Sequence, residues 1–388
     1  MKEIGIYIHI PFCKKKCHYC DFCSYEGKDS YIPRYMKCLK QEMEEVGQAN
    51  KQDAIEGKDK PFLVKTIYIG GGTPSLLDSK YIVEIMQTIQ ENFEVAKEAE
   101  ITIEANPGTV TLEKLQAYFD SGINRISIGL QSTYDTLLKQ LGRIHTYQEF
   151  LDTYYLARQV GFENINVDLM LGLPNQTVQE IQNSVEEIIG LEPEHISLYS
   201  LIVEEGTKLE EQIQNGELTL PEETVEREMY WKTKQLLEES GYIHYEISNF
   251  AKEGYQSKHN SDCWEQKEYI GFGAGAHSYT NRIRYSNREE IEEYIKNYEE
   301  GRIENNFVFH EKQNQEAVQK EFMLLGLRKI EGVSIQEFKS RFVANPIYLY
   351  HEQLEKLTKE DLVKIDGNNI KLTKKGIDLA NLVWEEFI

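Results

Sequence analysis

A chain of 388 residues has room for one large domain and one or two smaller ones. A net charge of -22 excludes a general electrostatic affinity for nucleic-acid phosphates, which needs a basic surface, and no apolar run approaches the ~20 residues that span a bilayer. No secretory signal is in view and four of the six cysteines crowd between positions 13 and 23, so the expected setting is the reducing cytoplasm and the expected use of those thiols is a metal site.

The first predicted strand, 5–10, runs into Pro11-Phe12-Cys13-Lys14-Lys15-Lys16-Cys17-His18-Tyr19-Cys20. The spacing C-x3-C-x2-C sets three thiolates in one short loop. That is one sulfur too few for a closed tetrahedral zinc site and one too few to saturate a four-iron cubane. A cluster on these three would leave one iron open to a small molecule. Two other uses stand beside it: Cys23 as a fourth ligand to zinc or to a closed cluster, and Cys17/Cys20 or Cys20/Cys23 as C-x-x-C redox pairs.

Helices are predicted at 31–46, 80–93, 112–121, 147–159 and 178–190, and further strands at 66–69, 100–104, 125–129, 164–169 and 196–201. Asp78 with Ser79 and Thr111 are the expected N-caps, while Gly122 and Gly161 fall where helix C-terminal glycines belong. Six strand–helix repeats imply a parallel sheet with crossover helices, either doubly wound or a barrel. The carboxyl ends of the strands collect glycines and polar residues: the cysteine loop, Gly70-Gly71-Gly72-Thr73-Pro74, Glu104-Ala105-Asn106-Pro107-Gly108, Gln131-Ser132, and Asp168 ahead of Gly172-Leu173-Pro174. That is the edge on which α/β sheets and barrels build their sites.

Beyond position 207 the pattern changes. A long amphipathic helix is expected at 222–240, followed by 242–249 and a loop carrying Lys258-His259-Asn260-Ser261-Asp262-Cys263-Trp264. Gly271-Phe272-Gly273-Ala274-Gly275-Ala276-His277 is glycine-rich but lacks the order and the βαβ context of a dinucleotide site. A helix with a solvated face is expected at 289–304. The tail from 311 reads as a separate helical module ending in a hairpin at 362–373 with an Asp366-Gly367 turn signal, a winged-helix outline. On so acidic a chain that outline is not taken for a DNA reader.

Tyr7-Ile8-His9-Ile10-Pro11-Phe12-Cys13 with Cys17 and Cys20, followed by Gly70-Gly71-Gly72-Thr73-Pro74, resembles the radical S-adenosylmethionine enzymes. More narrowly, it resembles the oxygen-independent coproporphyrinogen oxidase group with its heme-chaperone branch, HemW. The resemblance runs nearly end to end. It implies an α/β fold, a partial (β/α)6 barrel with a smaller C-terminal helical, winged-helix-like domain. The implied division is a radical S-adenosylmethionine core at 1–240, a connecting region with a heme motif at 241–310, and a C-terminal domain like that of the oxidases at 311–388. It also implies that Cys13, Cys17 and Cys20 hold a [4Fe-4S] cluster. Tyr7, Gly71, Gly72, Thr73, Glu104, Gln131, Arg143 and Asp168 match positions that contact S-adenosylmethionine, and Tyr19 an aromatic position lining that site. In the family's chemistry the cofactor's amino and carboxylate groups chelate the open iron, and one electron splits a carbon–sulfur bond to give a 5′-deoxyadenosyl radical. Glycines permit close backbone approach, Glu104 suits the ligand's ammonium and Arg143 its carboxylate.

Within the group, the oxidases carry C-x3-C-x2-C-x-C. Phe22 stands where that last cysteine would be, and Cys20-Asp21-Phe22-Cys23-Ser24 resembles the chaperone branch instead. So do Leu141-Gly142-Arg143-Ile144-His145-Thr146 and the run from Asp168 to Pro174. The branch's heme motif, H-N-x-x-Y-W, occurs as His259-Asn260-Ser261-Asp262-Cys263-Trp264, with cysteine in place of tyrosine. His259 is the expected heme ligand, and Cys263 is read as a buried structural cysteine. The implied function is capture of heme as cargo and its delivery to acceptor hemoproteins, with the cluster, S-adenosylmethionine and an electron donor in support. Coproporphyrinogen oxidase activity is not required by this function, and a homodimer and a contact with membrane proteins are compatible with it. The alternative is oxidative decarboxylation of coproporphyrinogen III, and a zinc-bound structural protein is more distant.

Overall fold

The computed structural model describes residues 1–388. Six strands alternate with helices along the first two hundred residues: β1 (Lys2–Ile10), β2 (Phe62–Gly71), β3 (Glu94–Ala105), β4 (Arg125–Gln131), β5 (Ile165–Leu171) and β6 (His195–Ser200). They pair in parallel in sequence order. Both faces of β1 and β4 are buried, as a parallel sheet clad by crossover helices requires. The cladding is α1 (Ile32–Ile55), α2 (Ser79–Asn92), α3 (Leu112–Asp120), α4 (Tyr147–Val160) and α5 (Val178–Ile189). Asp78 and Thr111 accept from Lys80 N and Lys114 N as N-caps, and Gly161 ends α4 in the left-handed region at φ 114°.

The later part of the chain adds to both edges of this sheet. The helix α6 (Glu223–Glu239) leads to β7 (Ile243–Glu246) and β8 (Asn249–Ala251), and β8 lies antiparallel to β6. The segment read from sequence as a loop at 258–264 is instead a short helix, α7 (Lys258–Trp264), because Ser257 caps it and Glu100 accepts from the amides of Lys258 and His259. On the opposite edge β9 (Tyr269–Phe272) runs parallel to β1, giving a seventh parallel strand, and β10 (His277–Thr280), β11 (Ile283–Asn287) and β12 (Phe307–Lys312) follow antiparallel. The twelve-stranded sheet therefore curls as an open barrel, not a closed one.

One core of 56 buried residues spans Ile4 to Tyr298 and a second of 16 spans Val318 to Phe387, so the C-terminal module has its own apolar interior. It combines helices with a three-stranded antiparallel sheet of β13 (Val333–Ser334), β14 (Val363–Asp366) and β15 (Asn369–Leu372). The hairpin expected at 362–373 is β14–β15. Polar contacts fix the module to the barrel: Arg284 with Glu321 at 2.6 Å, and Arg227 and Trp231 Nε1 with Asp378 at 3.1 and 2.8 Å. The Arg328 guanidinium lies between the rings of Trp264 and Trp384, 4.4 and 4.9 Å from their centroids.

Candidate functional site

Inward-pointing residues of the parallel strands and the loops at their carboxyl ends enclose a cavity of about 360 Å³. Cys13, Cys17 and Cys20 line it together with Tyr19, Gly71, Gly72, Thr73, Glu104, Gln131, Arg143 and Asp168. Residues spread over 155 positions of sequence thus meet because each lies on or follows one of the neighbouring strands. A second cavity of about 540 Å³ adjoins it, sharing Phe22, Tyr68, Gly71, Glu104, Tyr199 and Asn260 as a common wall. Tyr7 and His259 line this second chamber, not the first.

None of the three thiols is in a disulfide. Thr73 Oγ1 donates to Cys13 Sγ at 3.7 Å, Arg143 Nη1 to Cys17 Sγ at 3.5 Å, and Ser24 Oγ lies 3.8 Å from Cys20 Sγ. Burial pushes the Cys13 and Cys20 thiols up. Cys23 faces elsewhere: its sulfur sits 3.6 Å from the Glu289 carbonyl, and it lines the second chamber alone among the four. No three His, Cys, Asp or Glu side chains converge closely enough to hold a single ion. Cys13, Cys17 and Cys20 line one chamber and Cys23 the other, so the four thiols do not surround one tetrahedral zinc site.

The glycine turn after β2 wraps this loop tightly. Gly71 has φ 112°, and a β-carbon there would meet the His9 ring at 2.6 Å; one on Gly72 would meet Phe12 O at 2.8 Å and Cys13 Sγ at 3.0 Å. Glu104 accepts from Tyr68 Oη at 2.9 Å and from Gly71 N at 3.1 Å. Burial raises its carboxyl to about 7 against those two hydrogen bonds. Arg143 Nη2 donates to Asn106 Oδ1 at 3.0 Å and to Gly129 O at 2.5 Å, which fixes the guanidinium beside the cysteine loop. Asp168 accepts from Asn166 Nδ2 at 2.7 Å and from Ser127 at 3.3 Å. Gln131 turns inward at a register shift in β4, with φ 75°.

In the second chamber a chain of contacts fixes two imidazoles. His9 Nε2–H donates to Cys23 O at 2.7 Å, so its Nδ1 accepts from Tyr7 Oη at 2.9 Å. Burial lowers His9 to about 4, which keeps it neutral. His259 is buried, its Nδ1 2.9 Å from Thr66 Oγ1 and its ring stacked on Tyr68 at 5.3 Å. Burial, then the charge of Arg125, lowers His259 to about 4. Cys263 follows one turn later on α7 and lines the same chamber, its thiol pushed up to about 12 by burial.

Residues 7–188 match the Radical SAM superfamily model, and 314–379 match that of the HemN C-terminal domain. The heme chaperone HemW of Lactococcus lactis subsp. lactis is 37% identical over 100% of this chain and 98% of its own. That of Bacillus subtilis is 38% identical over 98% of each. The chain belongs to the HemW family. Membership in the radical S-adenosylmethionine superfamily implies a [4Fe-4S] cluster and S-adenosylmethionine. The solved coproporphyrinogen III oxidase (HemN) of Escherichia coli superposes with a TM-score of 0.84, covering 100% of this chain and 90% of that one at 22% identity, which is a likeness of fold. In this HemW family chain the sequence motifs located the cysteine loop and its glycine turn. They missed Tyr68, Arg125, Asn166 and Tyr199, which also line the first chamber. The signal for them was the inward parity of β2, β4, β5 and β6, legible only once the strand register is known.

Proposed function

We propose that this protein is a heme chaperone. It takes up heme beside a [4Fe-4S] cluster and S-adenosylmethionine and passes the heme to acceptor hemoproteins, acting in the cytoplasm. No helix is long and apolar enough to cross a membrane. The observation that carries this reading is His259. It is a neutral imidazole on a chamber wall that adjoins the cysteine loop, within a heme motif on a chain similar throughout its length to proteins named as heme chaperones. Thr66 Oγ1 lies 2.9 Å from Nδ1, and in the tautomer that donates Nδ1–H to this hydroxyl the Nε2 lone pair is left for iron. Phe22, 62% exposed, stands on the wall between the chambers where the oxidases' last cysteine would lie.

Cys13, Cys17 and Cys20 would hold the cluster. Glu104, Arg143, Gln131, Asp168, Thr73, Tyr19 and the Gly71-Gly72 turn would surround S-adenosylmethionine, with Tyr7 reaching it from the adjoining chamber. When bound, the reduced cluster supplies a single electron to S-adenosylmethionine. The chain's own part is to orient and shield: Glu104 accepts the ammonium's hydrogen bonds, Arg143 pairs with the carboxylate, and the buried walls exclude water. A one-electron donor, a homodimer and contacts with membrane hemoproteins belong to the same reading. The deciding experiment is an anaerobic heme titration of the cluster-reconstituted protein, followed in the Soret band. Saturable one-to-one binding in the micromolar range (about -8 kcal/mol) or tighter is expected. Absence of specific binding would overturn the reading and direct the work to coproporphyrinogen turnover.

A further inference from the structure

Two guanidinium groups line the first chamber, and their surroundings differ. Arg143 is satisfied by Asn106, Gly129 and Cys17 beside the cysteine loop. Arg125 stands on β4 four residues before Gly129, about 13 Å down the strand. It is 2% exposed and lines the same chamber, yet its side chain makes no ion pair and no hydrogen bond, and its Nε is buried without a partner. Directly across the register on β3, the buried Thr102 Oγ1 is also without a partner. Arg125 is close enough to influence the protonation of Glu104, Asp168, His195 and His259. None of the carboxylates among them pairs with it. A buried guanidinium is costly unless an anion meets it, and a carboxylate meets it best, through two parallel hydrogen bonds.

The carboxylate of S-adenosylmethionine belongs at the cluster end with Arg143, so the deep end is left for a different acid. We propose that Arg125 anchors a carboxylate of the cargo, a propionate of the heme, at the floor of the barrel. This rests on the heme reading above and extends it by naming what holds the cargo's acidic edge.

The test uses the full-length, cluster-reconstituted protein. Heme and heme dimethyl ester, which lacks the free carboxylates, are each titrated anaerobically into wild type, Arg125→Gln and Arg125→Lys, while S-adenosylmethionine affinity is measured separately by equilibrium dialysis. Wild type is expected to prefer heme over its diester by about tenfold or more. Arg125→Gln should abolish that preference and leave S-adenosylmethionine binding intact; Arg125→Lys, which keeps the charge but loses the fork, should retain part of it. If Arg125→Gln does not fold, the lysine variant and the wild-type comparison still decide. Equal binding of heme and diester by wild type overturns the anchor while leaving the heme reading standing. So does a preference that persists in Arg125→Gln or stays undiminished in Arg125→Lys, and so does a loss of S-adenosylmethionine binding in its place. No Soret response to either ligand overturns the heme reading and the anchor with it.

Discussion

Cys20 and Cys23 are three residues apart and face different chambers, so their substitutions should separate cleanly. Cys20→Ala is expected to abolish the iron–sulfur absorbance of reconstituted protein, and Cys23→Ala to leave it; equal loss in both would mean that a fourth cysteine closes the cluster. Glu104 gives a pH dependence with a definite sign. Its carboxyl is raised to about 7 by burial, and only the ionised form pairs with an ammonium, so S-adenosylmethionine affinity should rise with pH through that value. Glu104→Gln should flatten the profile and weaken binding by about tenfold, measured by equilibrium dialysis across the range. The residues legible in the sequence were those whose chemistry is local: a cysteine spacing, a glycine run, a carboxylate at a strand end. Arg125 was not, because an arginine opening a strand looks solvated until the curled sheet buries it.

At the scale of elements, the strands extend beyond their apolar signatures. β3 was expected at 100–104 and begins at Glu94, since its first residues mix buried alanines with exposed Glu94, Lys97 and Glu98 and so lack an apolar run. α1 continues to Ile55 past the expected 46, because its last two turns are polar and solvated. α7 was missed as a helix for a different reason: its N-terminal amides are satisfied by Glu100, on a strand more than 150 residues earlier. That contact also aims His259. Glu100→Ala should loosen α7 by about 1 kcal/mol. Heme affinity is then expected to fall several-fold while the cluster absorbance stays unchanged; heme binding unaltered in this variant would separate His259 placement from the Glu100 cap.

Over the whole molecule, six parallel strands were legible because each one ends in glycine or polar residues before an amphipathic helix. The strands added at both edges were not, since they join the sheet only where β8 pairs with β6 and β9 with β1, strands distant in sequence. One long-range joint gives a stability test. Glu42 on α1 is buried and accepts from Gly273 N at 2.9 Å, from Asn287 and from Tyr294 at 2.6 Å. Burial raises its carboxyl to about 7 from an ordinary 4.5. The native state then holds a proton that the unfolded chain releases, so this group's contribution falls as pH rises from about 4.5 to about 7. Denaturant melts should show wild type losing stability relative to Glu42→Gln across that window, by an amount on the order of a few kcal/mol; a flat difference would mean the carboxyl ionises normally. The Arg328 sandwich, finally, gives the protein an optical reporter of its own. Two of the three tryptophans flank that guanidinium, one on the C-terminal module and one closing the helix that carries His259. Separation of the module would expose both indoles to water and move their emission to longer wavelength. Heme arriving near His259 would quench Trp264 first, so docking and loading can be followed by fluorescence without attaching a dye.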